Sequence, residues 1–150
     1  MSRKDTKLPS VGAEFAVLSN LLFNEIETHK SYHNQKGYDL ISVNFKTNKN
    51  ARIQVKANNF INDSSFRLNK TDQRNLDFYV FCMTNTYESK PGIYGNLNNT
   101  LKPKFYIIDF DTVEKNAKLD KKGNRYLLLK KISNYNKFED NWDSIKKFLI

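Results

Sequence analysis

Two apolar segments separated by a short polar turn constrain this chain more than any other feature. They read GYDLISVNF over 37–45 and ARIQVKA over 51–57. Each resembles a buried strand that polar residues interrupt: Asp39 in the first, Gln54 and Lys56 in the second. Side chains alternate along a strand, so Gln54 and Lys56 share one face. A carboxylate, a side-chain amide and a lysine at the ends of adjacent strands can hold a hard divalent cation. They can also activate a water beside it, which is the chemistry of phosphodiester hydrolysis. The same residues admit a plainer reading, with Asp39 as a strand-start aspartate and Gln54 and Lys56 facing solvent from an edge strand.

The segment before them predicts a helix. Phe15, Leu18, Leu22 and Ile26, with Val11 one turn earlier, fall at helical spacing and make one apolar face. Residues 1–10 read as a flexible basic tail ending at Pro9-Ser10, with Ser10 as the helix N-cap. Glu14 is placed on the same face as Val11 and Leu18, where a carboxylate needs a partner; the helix dipole offers a simpler reason for an early glutamate. The polar run 28–36 reads as a crossing to the sheet. Short strands are expected over 64–68 and at RYLLL after Gly123, the latter on an edge. The aromatic runs DFYVFCMT (77–84) and KFYIIDF (104–110) read as central strands. A long loop fills 86–103, Asp111 is expected to cap a short helix, and an amphipathic helix covers 138–150. The order predicts one α/β domain over 11–150, with a mixed central sheet flanked by helices.

No apolar run approaches the roughly 18 residues that cross a bilayer, and the N-terminus shows no apolar signal region. With one cysteine, Cys82, inside an apolar run, these features predict a cytoplasmic protein without membrane attachment. The net charge of +9 suits a polyanionic partner. The excess consists of 20 Lys against 5 Arg, beside 20 Asn, a bias that an AT-rich genome also produces.

In order and spacing, these segments resemble the PD-(D/E)xK, or restriction-endonuclease-like, nuclease superfamily, in its Gln-x-Lys variant and its small stand-alone bacterial members. GAEFAVLSNLL matches the glutamate helix, GYDLISVN the aspartate strand and ARIQVKANN the Gln-x-Lys strand; DFYVFCMTN and KFYIIDFDTVEK match the two later strands. The likeness spans roughly 11–148. It departs from the pattern at Tyr38, where a proline usually stands, and at Gln54, where a glutamate usually stands. The resemblance implies a metal-dependent endonuclease acting on DNA. Glu14, Asp39, Gln54 and Lys56 would be catalytic. Asp39, Gln54 and the Val55 carbonyl would hold Mg2+, with Mn2+ as substitute. Candidate DNA contacts are Lys46, Lys49, Arg52, Lys70, Arg67 and Arg74. One core cuts one strand per site, so a duplex substrate implies a homodimer or homotetramer, joined through the 86–103 loop or a sheet edge. Two other classes stay open: a nuclease-fold DNA-binding module with slow or absent catalysis in a defence or mobile-element system, and a partner-binding protein whose basicity is genomic bias.

Overall fold

The computed structural model describes residues 7–31, 37–61, 63–68, 75–87 and 102–150. Helix α1, Lys7–Phe23, opens the described chain and takes in residues 7–10, which the sequence assigned to a tail. Pro9 fits this start because the first helical turn needs no amide donor from it. Ser10 lies inside the helix and is not its cap.

The next elements build one edge of the main sheet. β1 (Thr28–Lys30) pairs antiparallel with β2 (Leu40–Asn44), and β2 with β3 (Lys49–Phe60). β1 falls within the polar run expected to be a crossing; three residues are too few to show a period in the sequence. Thr28 is register partner to Ser42, and their hydroxyls bond at 2.8 Å, which satisfies two buried polar groups. After β4 (Ser65–Arg67), β5 (Phe78–Tyr87) lies parallel to β3 and β6 (Lys104–Asp109) antiparallel to β5. The sheet order is β1-β2-β3-β5-β6, so it is mixed, and β3 and β5 are central.

Each face of this sheet carries its own apolar core. On one, Ala13, Val17 and Leu21 of α1 pack over Leu40, Ile53, Val55, Val80 and Ile107. Trp142, Ile145 and Leu149 at the chain end close that layer, but its helix α3 spans only Asp143–Phe148, shorter than the sequence suggested. On the other face, Tyr79, Phe81, Tyr106 and Ile108 meet Phe66, Leu127 and Val113. These come from a second sheet, β4-β8-β7, and from α2 (Phe110–Asn116). β7 is Lys118–Leu119 and β8 is Arg125–Leu128. The RYLL segment therefore forms the central strand of this small sheet, where an edge strand was expected. Asp109, not Asp111, caps α2: its carboxylate accepts from the Thr112 N–H at 2.9 Å and from the Thr112 hydroxyl at 2.7 Å. The architecture is α/β, a five-stranded mixed sheet flanked by helices.

The buried face of α1 differs from the expected one. Val17 and Leu21 are fully buried, whereas Val11, Phe15 and Leu22 are 38%, 51% and 50% exposed. Ala13, Val17 and Leu21 recur every four residues and form a second apolar line along the helix, and this line meets the sheet.

Candidate active site

The site arises from unequal strand lengths. β2 begins at Leu40, opposite Ile53, while β3 runs on to Phe60. Past Ile53 the β2 side of β3 has no strand partner from β2, and this leaves a notch. Gly37, with φ of 110°, turns the chain into β2 through a conformation that side-chain-bearing residues rarely adopt. Asp39 then sits at the notch, anchored on both sides. Its N–H donates to the Ile53 carbonyl at 2.8 Å, and its carbonyl accepts from the Ser31 N–H at 2.9 Å. The Ser31 hydroxyl donates to the Tyr38 carbonyl at 2.8 Å.

The Asp39 side chain replaces the missing ladder bond. Its Oδ2 accepts the Val55 N–H at 2.8 Å. Amide and carbonyl of one strand residue point to the same edge, so the Val55 carbonyl also faces the notch. One more step of the Leu40–Ile53 register places Asp39 level with Gln54. Gln54 and Lys56 are partners of Tyr79 and Phe81 on β5, on the sheet face away from α1. Gln54 is buried.

Glu14 approaches from α1. The Lys30 Nζ lies 3.5 Å from Glu14 Oε2 and 4.3 Å from the Phe15 ring centre, so β1 supplies a cation between helix and sheet. Electrostatics tie the group together. Burial pushes the Asp39 carboxyl above its ordinary value of 3.8; the Val55 N–H opposes this, Glu14 adds to it, and Lys56 and Lys30 oppose it. Burial holds the Lys56 ammonium below its ordinary 10.5, against the attraction of Asp39. Asp39 thus feels Glu14, Lys30 and Lys56 at once, although they come from a helix and two strands. Perturbed titrations of this kind concentrate at functional sites, and structural ion-pair networks also produce them.

The structure joins Asp39 to Val55 directly, and Glu14, Lys30 and Lys56 are near enough to act on its charge, Glu14 from the α1 side of the sheet and Lys56, with Gln54, from the other. The expected DNA contacts are dispersed. Lys46 and Lys49 lie at the turn end of the β2–β3 hairpin, about 17 Å from Asp39 at the rise of a strand. Lys49 Nζ donates to the Ile150 carbonyl at 2.5 Å. Arg52 is held by Asp77, whose Oδ2 accepts from the Arg52 N–H at 2.8 Å and from Nε at 3.2 Å. Arg67 is exposed on β4, the small-sheet side of the molecule. Lys70 and Arg74 lie outside the described residues, as does most of the 86–103 loop. Lys30 was missed by the sequence reading. Nothing in THKS distinguishes a site lysine from a solvated one, and only the pairing of β1 with β2 brings it to Glu14.

Among the described residues, no group of three or more His, Cys, Asp or Glu side chains is placed to hold a metal ion. The oxygen donors here comprise carboxylates, an amide and a backbone carbonyl. No described helix is long and apolar enough to cross a membrane.

No family model matches the sequence, and no curated protein matches it. Among solved structures, the chain is similar to a bacterial homing endonuclease, I-Ssp6803I, with a TM-score of 0.60 and 16% sequence identity. The match covers 97% of this chain and 94% of that one. At this identity the likeness is one of fold, and it extends over nearly the whole of both chains: the layered α/β arrangement that carries the notch is one that a homing endonuclease also has.

Proposed function

We propose that this chain is a metal-dependent endonuclease that hydrolyses DNA phosphodiester bonds at the Asp39 notch, as a Gln-x-Lys member of the PD-(D/E)xK superfamily. One observation carries the reading. The Asp39 carboxylate is locked onto the Val55 N–H at 2.8 Å while it interacts with Lys56 on the same strand and with Glu14 from the opposite layer. A structural aspartate needs a single partner; this one gathers two cations and a second carboxylate at a partly buried strand end. The fold shared with a homing endonuclease supports the same reading.

The donor set fits a hard cation. Asp39 Oδ1, the Gln54 amide oxygen and the Val55 carbonyl are all oxygens, as Mg2+ or Mn2+ prefers. Such an ion would supply Lewis-acid stabilisation of the phosphate and a water of lowered pKa. The protein residues do the rest. Asp39 orients its free oxygen because Val55 fixes the other. Lys56 places positive charge where the phosphate gains negative charge in the transition state, in a site dry enough to strengthen that interaction. Glu14, held by Lys30, stands ready to accept a proton from water or to orient it.

The test is cleavage of plasmid, branched and single-stranded DNA with Mg2+ or Mn2+. Asp39→Ala and EDTA should each abolish cleavage, and Asp39→Ala should leave the fold and most DNA binding intact. Cleavage that survives both rejects the mechanism. A second reading has its own support, since Gln54 leaves this site with few formal negative charges. Salt-sensitive DNA binding without cleavage in either metal would make the chain a nuclease-fold DNA-binding module.

A further inference from the structure

Helix α1 is apolar on two opposite faces, and the core uses only one. Ala13, Val17 and Leu21 point inward and are at most 3% exposed. Leu8, Val11, Phe15 and Leu22 point outward, at 78%, 38%, 51% and 50% exposure. Leu8, Val11, Phe15 and Leu22 follow at spacings of three, four and seven, which keeps them on one side of the helix, while Leu18 packs against the inner core. A helix apolar all round is normally a buried helix.

We infer that this outer seam of α1 docks against the same seam of a second copy of the chain. The seam is symmetric about Phe15, with Leu8 and Leu22 seven residues away on either side. An antiparallel two-fold pairing therefore sets Leu8 of one copy against Leu22 of the other and Phe15 near its own counterpart. The area agrees. At these exposures the four side chains present on the order of 400 Å² of apolar surface, if each would show roughly 150–200 Å² when bare. In an interface about 60% apolar, that corresponds to about 700 Å² per partner, close to the ~800 Å² of a stable complex. A membrane surface fits less well, because the helix itself carries one lysine and one glutamate, Lys7 and Glu14, and the cation over Phe15, Lys30, is paired with Glu14. Dimerisation would also place two candidate sites in one particle, which a two-strand cut requires.

The experiment is light scattering and sedimentation of the full chain without DNA or metal, so its outcome is independent of the nuclease reading. At tens of micromolar the mass should be twice 17.6 kDa, and it should persist in high salt because the contact is apolar. Leu22→Asp should weaken association by on the order of a hundredfold, since a charge is then buried in an apolar contact, with the circular dichroism spectrum unchanged. Phe15→Cys gives an independent arm, because the native Cys82 is buried. On oxidation it should form a covalent dimer, whereas Leu119→Cys, exposed on β7, should not. A monomeric wild type overturns the inference, as does an Asp variant that stays dimeric or Phe15→Cys that cross-links no better than Leu119→Cys. A monomer that sediments with anionic vesicles overturns it in favour of a membrane surface.

Discussion

Asp39 is held in a position that serves charge better than stability. Burial raises its pKa, so the native state binds its proton more readily than the unfolded chain does. This contribution to stability is complete below 3.8 and is lost as pH rises through the higher folded value. At neutral pH the ionised carboxylate is therefore a burden. Asp39→Asn keeps an acceptor for the Val55 N–H and removes the charge. It should leave stability unchanged or raise it by about 1 kcal/mol, roughly 2–4 °C in melting temperature, while cleavage disappears. Calorimetry showing a clear loss of stability would make Asp39 a structural residue. Lys56 runs in the opposite sense: its pKa is lowered, so the stability tied to it is complete above 10.5 and lost as pH falls through the folded value. In the metal-free protein, NMR titration should place Asp39 above 3.8 and Lys56 below 10.5. Gln54→Glu adds a carboxylate to a buried position near Asp39. Without metal it should cost about 1–2 kcal/mol at neutral pH, and titration calorimetry should show Mg2+ bound about tenfold more tightly, because ligand charge sets affinity.

At the scale of elements, α1 shows how an outer seam and an inner face can be told apart. Leu21→Ala empties a fully buried position and should cost about 2–5 kcal/mol. Leu22→Ala, one residue on, should cost within about 0.5 kcal/mol when unfolding is followed in dilute solution, below any association. A larger loss for Leu22→Ala than for Leu21→Ala would mean that the helix packs with the other face inward. α2 depends on its cap. Its seven residues gain little from helix propensity, and Asp109 closes the first turn with two bonds to Thr112. Asp109→Ala should lower stability by about 1 kcal/mol, measured by urea denaturation, whereas Asp111→Ala should change it far less.

For the whole molecule, the question is whether +9 is a footprint or a bias. The expected DNA contacts among the described residues are spread: Lys46 and Lys49 at one end of a hairpin, Arg67 on the small sheet, and Arg52 committed to Asp77. If duplex DNA lies across the notch, the logarithm of its affinity should fall steeply and linearly with the logarithm of salt concentration. Arg67→Ala should reduce that slope by about one if Arg67 meets a phosphate. Arg52→Ala should leave the slope unchanged and lower stability, since its partner Asp77 loses its ion pair. A flat salt response would assign the charge to composition.

The residues alone determined the strand character of 40–44 and 51–57, the two aromatic strands and the α/β class. Those properties are local: side-chain alternation and apolar runs specify them without reference to distant chain. The tertiary structure decided the rest. Periodicity shows that α1 has an apolar seam, but packing against the sheet uses the other line, Ala13, Val17 and Leu21. The polarity of THK hides a strand that exists only where β2 offers it an edge, and with it the cation beside Glu14. The RYLL strand is central because β4 and β7 arrive from far along the chain to flank it. The notch itself depends on where β2 stops relative to β3, a long-range register that no local pattern encodes.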